Sequence, residues 1–182
     1  SLRDNLEGSC HILAVDGSNN TSNLGSLVRT AVAMKITAIL LSSDCADVWY
    51  RKAVRVSMGH IFSIPVIRCA DLTGVLKKLR SEYRFSAYAA VVAGGRDVHS
   101  IRSGKRWVLV VGSEAQGVRD EVMQVCENIT IPMKDGVDSL SITVAAGILI
   151  DNLSASSKNC ERESLRSPIV PLLAAVAVAA TA

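Results

Sequence analysis

The sequence predicts an α/β protein in which a parallel sheet is flanked by helices. Short apolar runs alternate with helical segments along the chain, and these runs are continuously apolar instead of alternating with polar residues. Continuous apolar strands are typical of a parallel sheet that is covered on both faces. With 182 residues, the chain is long enough to bury a sizeable core in one domain.

Six apolar runs have the length of strands. They cover residues 10–16, 36–41, 61–67, 87–93, 106–112 and 129–133. Pro65 lies in the third run, and its missing backbone N–H makes a central position in the sheet unfavourable for that strand. The fourth run leads into the pair Gly94–Gly95, and the last run is short enough to be a strand or an extended segment.

Five segments between these runs show apolar residues at the three- and four-residue spacing of a helix. They cover residues 24–34, 47–59, 72–83, 118–126 and 139–153. Ser22 or Asn23 is expected to cap the first helix at its N-terminus. Gly59 is expected to end the second helix.

Residues 154–182 differ in composition from the rest of the chain. The segment 154–167 is polar, and the apolar end "IVPLLAAVAVAATA" is shorter than the ~20 residues needed to cross a bilayer. This end predicts either a helix that packs on the domain or on a partner subunit, or a disordered alanine-rich tail. We therefore expect one folded domain over 1–153, a linker and tail over 154–182, and no membrane span.

Composition restricts the classes of function. The net charge of +3 is compatible with a nucleic-acid partner but also with an ordinary solvated surface, and the aromatic content of 4% disfavours a base-stacking platform. Five cysteines without a CxxC pair and three scattered histidines predict no metal site. Free thiols and the lack of a secretory signal in "SLRDNLEGSC" predict an intracellular protein, cytoplasmic by default, with a nuclear or organellar location left open.

Three unusual loops follow predicted strands: "SNNTSNLGSLVR", "GSEAQG" and "IPMKDGVDSLS". Ligands of open α/β sheets bind outside the carboxyl ends of the strands, so these loops predict a binding site. Neither GxGxxG nor GxxxxGK[ST] is present, which disfavours a dinucleotide or a nucleoside triphosphate.

In this order, the motifs "NLGSLVR", "VVGSEAQGVRDEV" and "ITIPMKDGVDSLSITVAAGILI" resemble those of the SpoU (TrmH-type) RNA 2′-O-ribose methyltransferases of the SPOUT superfamily. The resemblance covers roughly residues 10–153. It implies 2′-O-methylation of structured RNA, either rRNA or tRNA, with S-adenosylmethionine as the methyl donor. It also implies a C-terminal trefoil knot over about residues 107–153, and a homodimer with its active site near the subunit interface.

The resemblance further implies roles for individual residues. Arg29 is expected to position and activate the ribose hydroxyl, with support from Asn23, Glu114 and Ser139. Ser141 stands where members of the family usually have asparagine, and the shorter side chain is expected to weaken this arrangement. The residues expected to contact S-adenosylmethionine are Ala93, Gly94, Gly112, Ile131 and Leu140.

Arg51, Lys52 and Arg55 are candidates for contacts with RNA phosphates, although a solvated helix face explains these charges equally well. Two other functions stay open. The first is a catalytically weakened or inactive knotted relative that still binds RNA, which the serine at position 141 favours. The second is an unrelated doubly wound enzyme for a small metabolite.

Overall fold

A single sheet of seven strands organises the protein, whose computed structural model describes residues 8–156 and 169–179. The strands are β1 (Cys10–Asp16), β2 (Ala38–Ser42), β3 (Val66–Cys69), β4 (Ser86–Ala90), β5 (Arg96–Asp97), β6 (Arg106–Gly112) and β7 (Glu127–Thr130). Their order across the sheet is β3-β2-β1-β6-β4-β7-β5, and every neighbouring pair is parallel.

Helices cover both faces of this sheet. They are α1 (Thr21–Ala33), α2 (Arg51–Val56), α3 (Leu72–Tyr83), α4 (Asp120–Met123), α5 (Ile142–Ser156) and α6 (Ile169–Ala179). Two short 3-10 helices, His60–Ser63 and Val98–Ser100, lie in the connections. The predicted parallel sheet flanked by helices is therefore confirmed.

Alternate side chains of the central strands supply two hydrophobic cores, one on each face. On β1, Leu13 and Val15 pack with residues of α1 and α5, whereas Ile12 and Ala14 pack with residues of α3 and α6. All four side chains are at most 1% exposed. Burial on both faces explains why the central strands read as uninterrupted apolar runs.

Several element boundaries differ from those that the sequence predicted. Helix α1 begins at Thr21 and is capped by Asn20, not by Ser22 or Asn23; the Asn20 side chain accepts hydrogen bonds from the backbone N–H groups of both residues, at 2.9 and 3.4 Å. Helix α2 spans only Arg51–Val56, within the predicted 47–59. The two-residue strand β5 was not predicted.

The C-terminal helix α6 packs onto the face of the sheet that α3 covers. Leu173, Val176 and Ala177 are buried there in one cluster with Leu72 and Val75. Helix α5 runs to Ser156, beyond the predicted boundary at residue 153, and most of the expected linker 154–167 lies outside the described residues. Among the helices that the structure describes, none is long and apolar enough to cross a membrane.

Candidate active site

A cavity of about 510 Å³ opens where β4, β6 and β7 end. Its walls are formed by residues 90–92 at the end of β4, the turn at the end of β6, and the segment 130–142 that leads from β7 into α5. This is the edge at which parallel sheets bind ligands, because the loops after neighbouring strands converge there.

The wall after β6 is the tight turn Gly112–Gly117. The Gly117 N–H donates to the Ser113 carbonyl at 2.8 Å, and the Gln116 N–H donates to Ser113 Oγ at 3.1 Å. A Cβ atom on Gly112 would overlap the backbone of Gly117 and Val118. The turn itself therefore requires glycine at position 112, whether or not this residue also makes the expected contact with S-adenosylmethionine.

The opposite wall is the segment after β7, which carries the third motif. Ile131, Asp138, Ser139 and Leu140 line the cavity from this segment. The Ser141 carbonyl accepts a hydrogen bond from the Ala145 N–H at 3.0 Å, so the segment is tied directly to the first turn of α5.

The structure brings five of the predicted site residues together around the cavity. They are Gly112, Glu114, Ile131, Ser139 and Leu140. Ala93 and Gly94 are exposed and follow the lining residues 90–92 along the chain, but neither belongs to the lining itself.

The other three predicted catalytic residues lie outside the cavity lining of the single chain. Asn23 and Arg29 are on α1, where the Arg29 side chain is exposed, and Ser141 is exposed just before α5. Helix α1 packs directly against α5 next to Arg29: a Cβ atom on Gly147 would lie 3.8 Å from Thr30 Cγ2. Arg29 therefore lies on α1, which packs against α5, the helix that follows the cavity wall.

An ion pair between a buried aspartate and a partly exposed arginine, which the sequence did not predict, stabilises the same edge of the sheet. Asp16, the last residue of β1, is 1% exposed and lies beside Gly112 of β6. Its carboxylate accepts hydrogen bonds from Arg119, at 2.9 Å from the backbone N and at 2.8 Å from Nε. The hydrogen bond and the charge of Asp16 raise the pKa of Arg119 against the opposing effect of burial, with smaller contributions from Asp44 and Glu121.

A polar network extends from this ion pair to the end of β2. Ser42 Oγ donates to Asp44 Oδ1 at 2.6 Å and accepts from the Gly17 N–H at 2.9 Å. The hydrogen bond from Ser42 is the main cause of the lowered pKa of Asp44. The Asp44 carboxylate also lies 3.8 Å from the Arg119 guanidinium. The network therefore connects the loops after β1 and β2 to Arg119, which lies two residues beyond the turn Gly112–Gly117.

The predicted RNA contacts Arg51, Lys52 and Arg55 are exposed on α2, away from the cavity lining. Helix α2 packs closely on α1 at Gly25, because a Cβ atom there would be 2.6 Å from the Ala53 carbonyl oxygen. Gly25 and Arg29 are one helical turn apart, so the basic residues of α2 are near the same side of the molecule as Arg29.

Two cysteines of the described chain are poor nucleophiles, and the described residues form no metal-ligand cluster. Cys69 and Cys126 are free, and burial raises the pKa of each thiol to about 12, which keeps the thiols protonated and poorly nucleophilic. Over residues 8–156 and 169–179, no three His, Cys, Asp or Glu side chains are grouped so that they could hold a metal ion.

Comparison with known proteins places this geometry in a family. The model of the SpoU rRNA Methylase family matches residues 11–151. The chain is 33% identical over 153 residues to an uncharacterised tRNA/rRNA methyltransferase of Mycobacterium tuberculosis, covering 81% of this chain and 53% of the relative. It is 30% identical over 143 residues to the 23S rRNA (guanosine(2553)-2′-O)-methyltransferase RlmP of Bacillus subtilis, covering 78% of this chain and 57% of the relative.

A solved structure shows the same architecture. The AdoMet-bound rRNA methyltransferase from Sinorhizobium meliloti superposes with a TM-score of 0.76 at 29% identity, covering 85% of this chain and 59% of that chain. The chain spans about half the length of the curated relatives it matches, with 53% and 57% of the two relatives covered.

Proposed function

This chain belongs to the SpoU rRNA methylase family, and on that premise we propose that it methylates the ribose 2′-hydroxyl of an rRNA or tRNA, with S-adenosylmethionine as the methyl donor. One observation carries the proposal: the cavity at the ends of β4, β6 and β7 is lined by residues of "GSEAQG" and of "IPMKDGVDSL", which are parts of the second and third motifs. The fold thus brings to one cavity two motifs that are separate in the sequence.

The cavity has the size and charge that S-adenosylmethionine requires. A volume of about 510 Å³ is within the range of small-molecule sites. Glu114 and Asp138 are among the lining residues, whereas Lys, Arg and His are absent from that lining over the described chain. Such a site favours a ligand with a cationic sulfonium over a polyphosphate.

Gly112, Ile131 and Leu140 would hold the cofactor, which supplies an activated methyl group when bound. The chain would then position the ribose and stabilise the charge that develops on its 2′-oxygen as the hydroxyl proton passes to solvent water. The oxygen would take the methyl group, and the cofactor would leave as a neutral thioether. We assign these tasks to Arg29: a guanidinium is a poor base, but its planar pair of donors suits a phosphate and an oxyanion.

Because Arg29 and Asn23 do not line the cavity of a single chain, we propose a homodimer in which the active site is completed near the subunit interface. Val144 of α5 is 51% exposed and offers an apolar contact beside α1. Light scattering should give about twice the monomer mass of 19.3 kDa. A mass of 19.3 kDa that does not change with concentration would contradict the dimer.

We also propose the trefoil knot over about residues 107–153. The strand order supports it: β6 lies between β1 and β4, β7 lies beyond β4, and α5 then returns to pack against β6 and α1. An experimental chain trace in which residues 129–153 pass through no loop would contradict this topology.

Two separate measurements test the proposed function. Calorimetry measures the binding of S-adenosylmethionine, and transfer of a labelled methyl group to total rRNA and tRNA measures catalysis. The proposal predicts both. Binding without transfer would favour the inactive RNA-binding relative, for which the exposed Ser141 outside the cavity lining is the supporting observation.

A further inference from the structure

One surface of the chain combines exposed aromatic rings with cations. We call it the α2 surface, and its residues are Trp49, Tyr50, Arg51, Lys52, Arg55, Met58 and Phe62. It lies around helix α2 and the 3-10 helix that follows, and it includes none of the residues that line the cavity.

The aromatic side chains of this protein are divided sharply between the core and this surface. Trp49, Tyr50 and Phe62 are 52%, 61% and 74% exposed. All the other Trp, Tyr and Phe residues are buried: Tyr83, Phe85, Tyr88 and Trp107. Exposed aromatic rings gathered in one place mark an interaction site, since a monomer gains nothing from keeping them in water.

The local backbone holds two of these rings together. The rings of Trp49 and Phe62 are 5.9 Å apart between centroids and are tilted by 38°. Asp47 Oδ1 accepts a hydrogen bond from the Trp49 N–H at 2.9 Å and so fixes the turn before α2. After α2, Met58 and Gly59 have positive φ angles of 55° and 78°, which reverse the chain and bring Phe62 back to Trp49.

The cations beside the rings are free to bind an anion. Arg51 and Arg55 are one helical turn apart, with Lys52 next to them, and all three are exposed. Within the part of the chain that the structure describes, their side chains make no ion pair. An isologous contact between two copies through this surface would bring like charges together, which disfavours a second copy as its partner.

From this juxtaposition of rings and unpaired cations, we propose that the α2 surface binds unpaired nucleotides of the RNA substrate. Bases stack on Trp49 and Phe62, and phosphates contact the cations of α2. The inference rests on the proposed function for the identity of the RNA. This proposal reverses an expectation from composition, in which an aromatic content of 4% disfavoured a base-stacking platform. The aromatic residues are few, but every exposed one is on this surface.

The location of the surface suits a substrate whose ribose is presented to Arg29. Helix α2 contacts α1 at Gly25, one turn from Arg29, so the α2 surface and the proposed catalytic arginine belong to neighbouring helices. Nucleotides held on the α2 surface would therefore adjoin the nucleotide that is methylated.

Tryptophan fluorescence gives a direct test, because Trp49 is exposed and Trp107 is fully buried. The probe is a single-stranded oligouridylate of about 10 nucleotides, a length within the range that single-strand binding surfaces cover. Titration into the full chain should quench Trp49 emission, whereas an RNA duplex of equal length should quench it little. Equal quenching by both RNAs, or none by either, would overturn the proposal.

Variants separate stacking from charge. Phe62→Leu keeps an apolar side chain but removes the ring, and it should weaken oligouridylate binding roughly 5- to 150-fold with an unchanged dependence on salt. Lys52→Ala should lower the slope of log affinity against log salt by about 0.7. The matched control Lys77→Ala removes an exposed cation from α3, on the other face of the sheet, and should change affinity less than about twofold with an unchanged salt slope.

Two further outcomes would overturn the inference. If Phe62→Leu leaves oligouridylate affinity unchanged, the rings do not stack on bases. If it instead shifts the sedimentation of the chain toward a smaller species without RNA, the α2 surface is an interface between copies. S-adenosylmethionine binding and methyl transfer are measured in parallel. If both are absent while oligouridylate still quenches Trp49, the proposed function is refuted but the RNA-binding role of the α2 surface is not.

Discussion

The buried carboxylate of Asp16 is bonded to Arg119 through both the backbone N–H and the guanidinium of that arginine. Asp16 ends β1, and Arg119 follows the turn Gly112–Gly117 that forms one wall of the cavity. A single side chain in the centre of the sheet therefore fixes where this turn ends. The Asp16–Arg119 contact lies within the protein itself, and it holds one wall of the proposed cofactor site in place.

Asp16→Asn should destabilise the protein and also weaken its hold on S-adenosylmethionine. The substitution removes the buried charge and leaves Arg119 with a weaker acceptor, which is expected to cost about 1–3 kcal/mol in the free energy of unfolding. Urea unfolding measures the stability and calorimetry the affinity. Asp44→Asn is the control, since the Asp44 side chain is 52% exposed; equal losses in both variants would mean that burial of the Asp16 carboxylate is unimportant.

Gly112→Ala tests whether the turn requires glycine. The added Cβ would overlap the backbone of Gly117 and Val118, so we expect the free energy of unfolding to fall by at least about 2 kcal/mol. Gly104→Ala is the matched control, because an added Cβ atom at that position has no neighbouring atom within 4 Å. The control should be neutral or stabilising by up to about 1 kcal/mol, and a neutral Gly112→Ala would show that the turn rearranges freely.

Stability should fall as the pH is lowered through the range in which His11 titrates. Burial against Trp107, whose ring centroid is 4.4 Å away, lowers the pKa of His11 from 6.5 to about 4. Between these values the unfolded chain binds more protons than the folded chain, so stability is full above pH 6.5 and decreases toward pH 4. The loss is at most about 3 kcal/mol.

His11→Phe keeps a ring against Trp107 but cannot titrate, and it should remove this part of the pH dependence. Urea midpoints at several pH values between 4 and 7 provide the measurement. If His11→Phe follows the same pH curve as the wild type, His11 is not the titrating group.

Arg29→Lys should leave folding and S-adenosylmethionine affinity nearly unchanged, because Arg29 is exposed and does not line the cavity. Methyl transfer should fall by about 10²–10³, since lysine keeps the charge but lacks the planar pair of donors. Arg84→Lys, at the exposed end of α3, is the control. A structural arginine would give the reverse pattern, with lower stability and activity that follows the folded fraction.

Ser141→Asn introduces the asparagine that the resemblance to the family implies at this position. Asparagine offers two donors and an acceptor where serine has one hydroxyl, so methyl transfer should be equal to or higher than that of the wild type. Single-turnover rates with saturating S-adenosylmethionine provide the comparison. A fall in the rate would indicate that the site of this chain is built around serine.

The sequence predicted those parts of the fold that depend on local patterns. The bounds of β1, β6 and α3 agree with the structure, because each apolar pattern ends at a polar or glycine residue. The start of α2 was misplaced, since Trp49 fits the helical period but lies in a turn fixed by Asp47. Strand β5 was missed because two residues carry no pattern, and its pairing with β7 alone defines it.

Long-range contacts explain what was missed at the site. Asp16 and Arg119 are 103 residues apart in the sequence, and an aspartate at the end of a strand gives no indication of its partner. The motifs did place Gly112, Ser139 and Leu140 at one cavity. The aromatic surface around α2 was missed for another reason: composition counts rings, but only the fold decides which of them are exposed.

The most direct test of the central claim is nucleoside mass spectrometry of rRNA and tRNA after incubation with the chain and S-adenosylmethionine carrying a deuterated methyl group. The account predicts a labelled 2′-O-methylnucleoside that is present with the wild type and strongly reduced with Arg29→Lys. Label on a base, or no label in either RNA while S-adenosylmethionine binds, would contradict it.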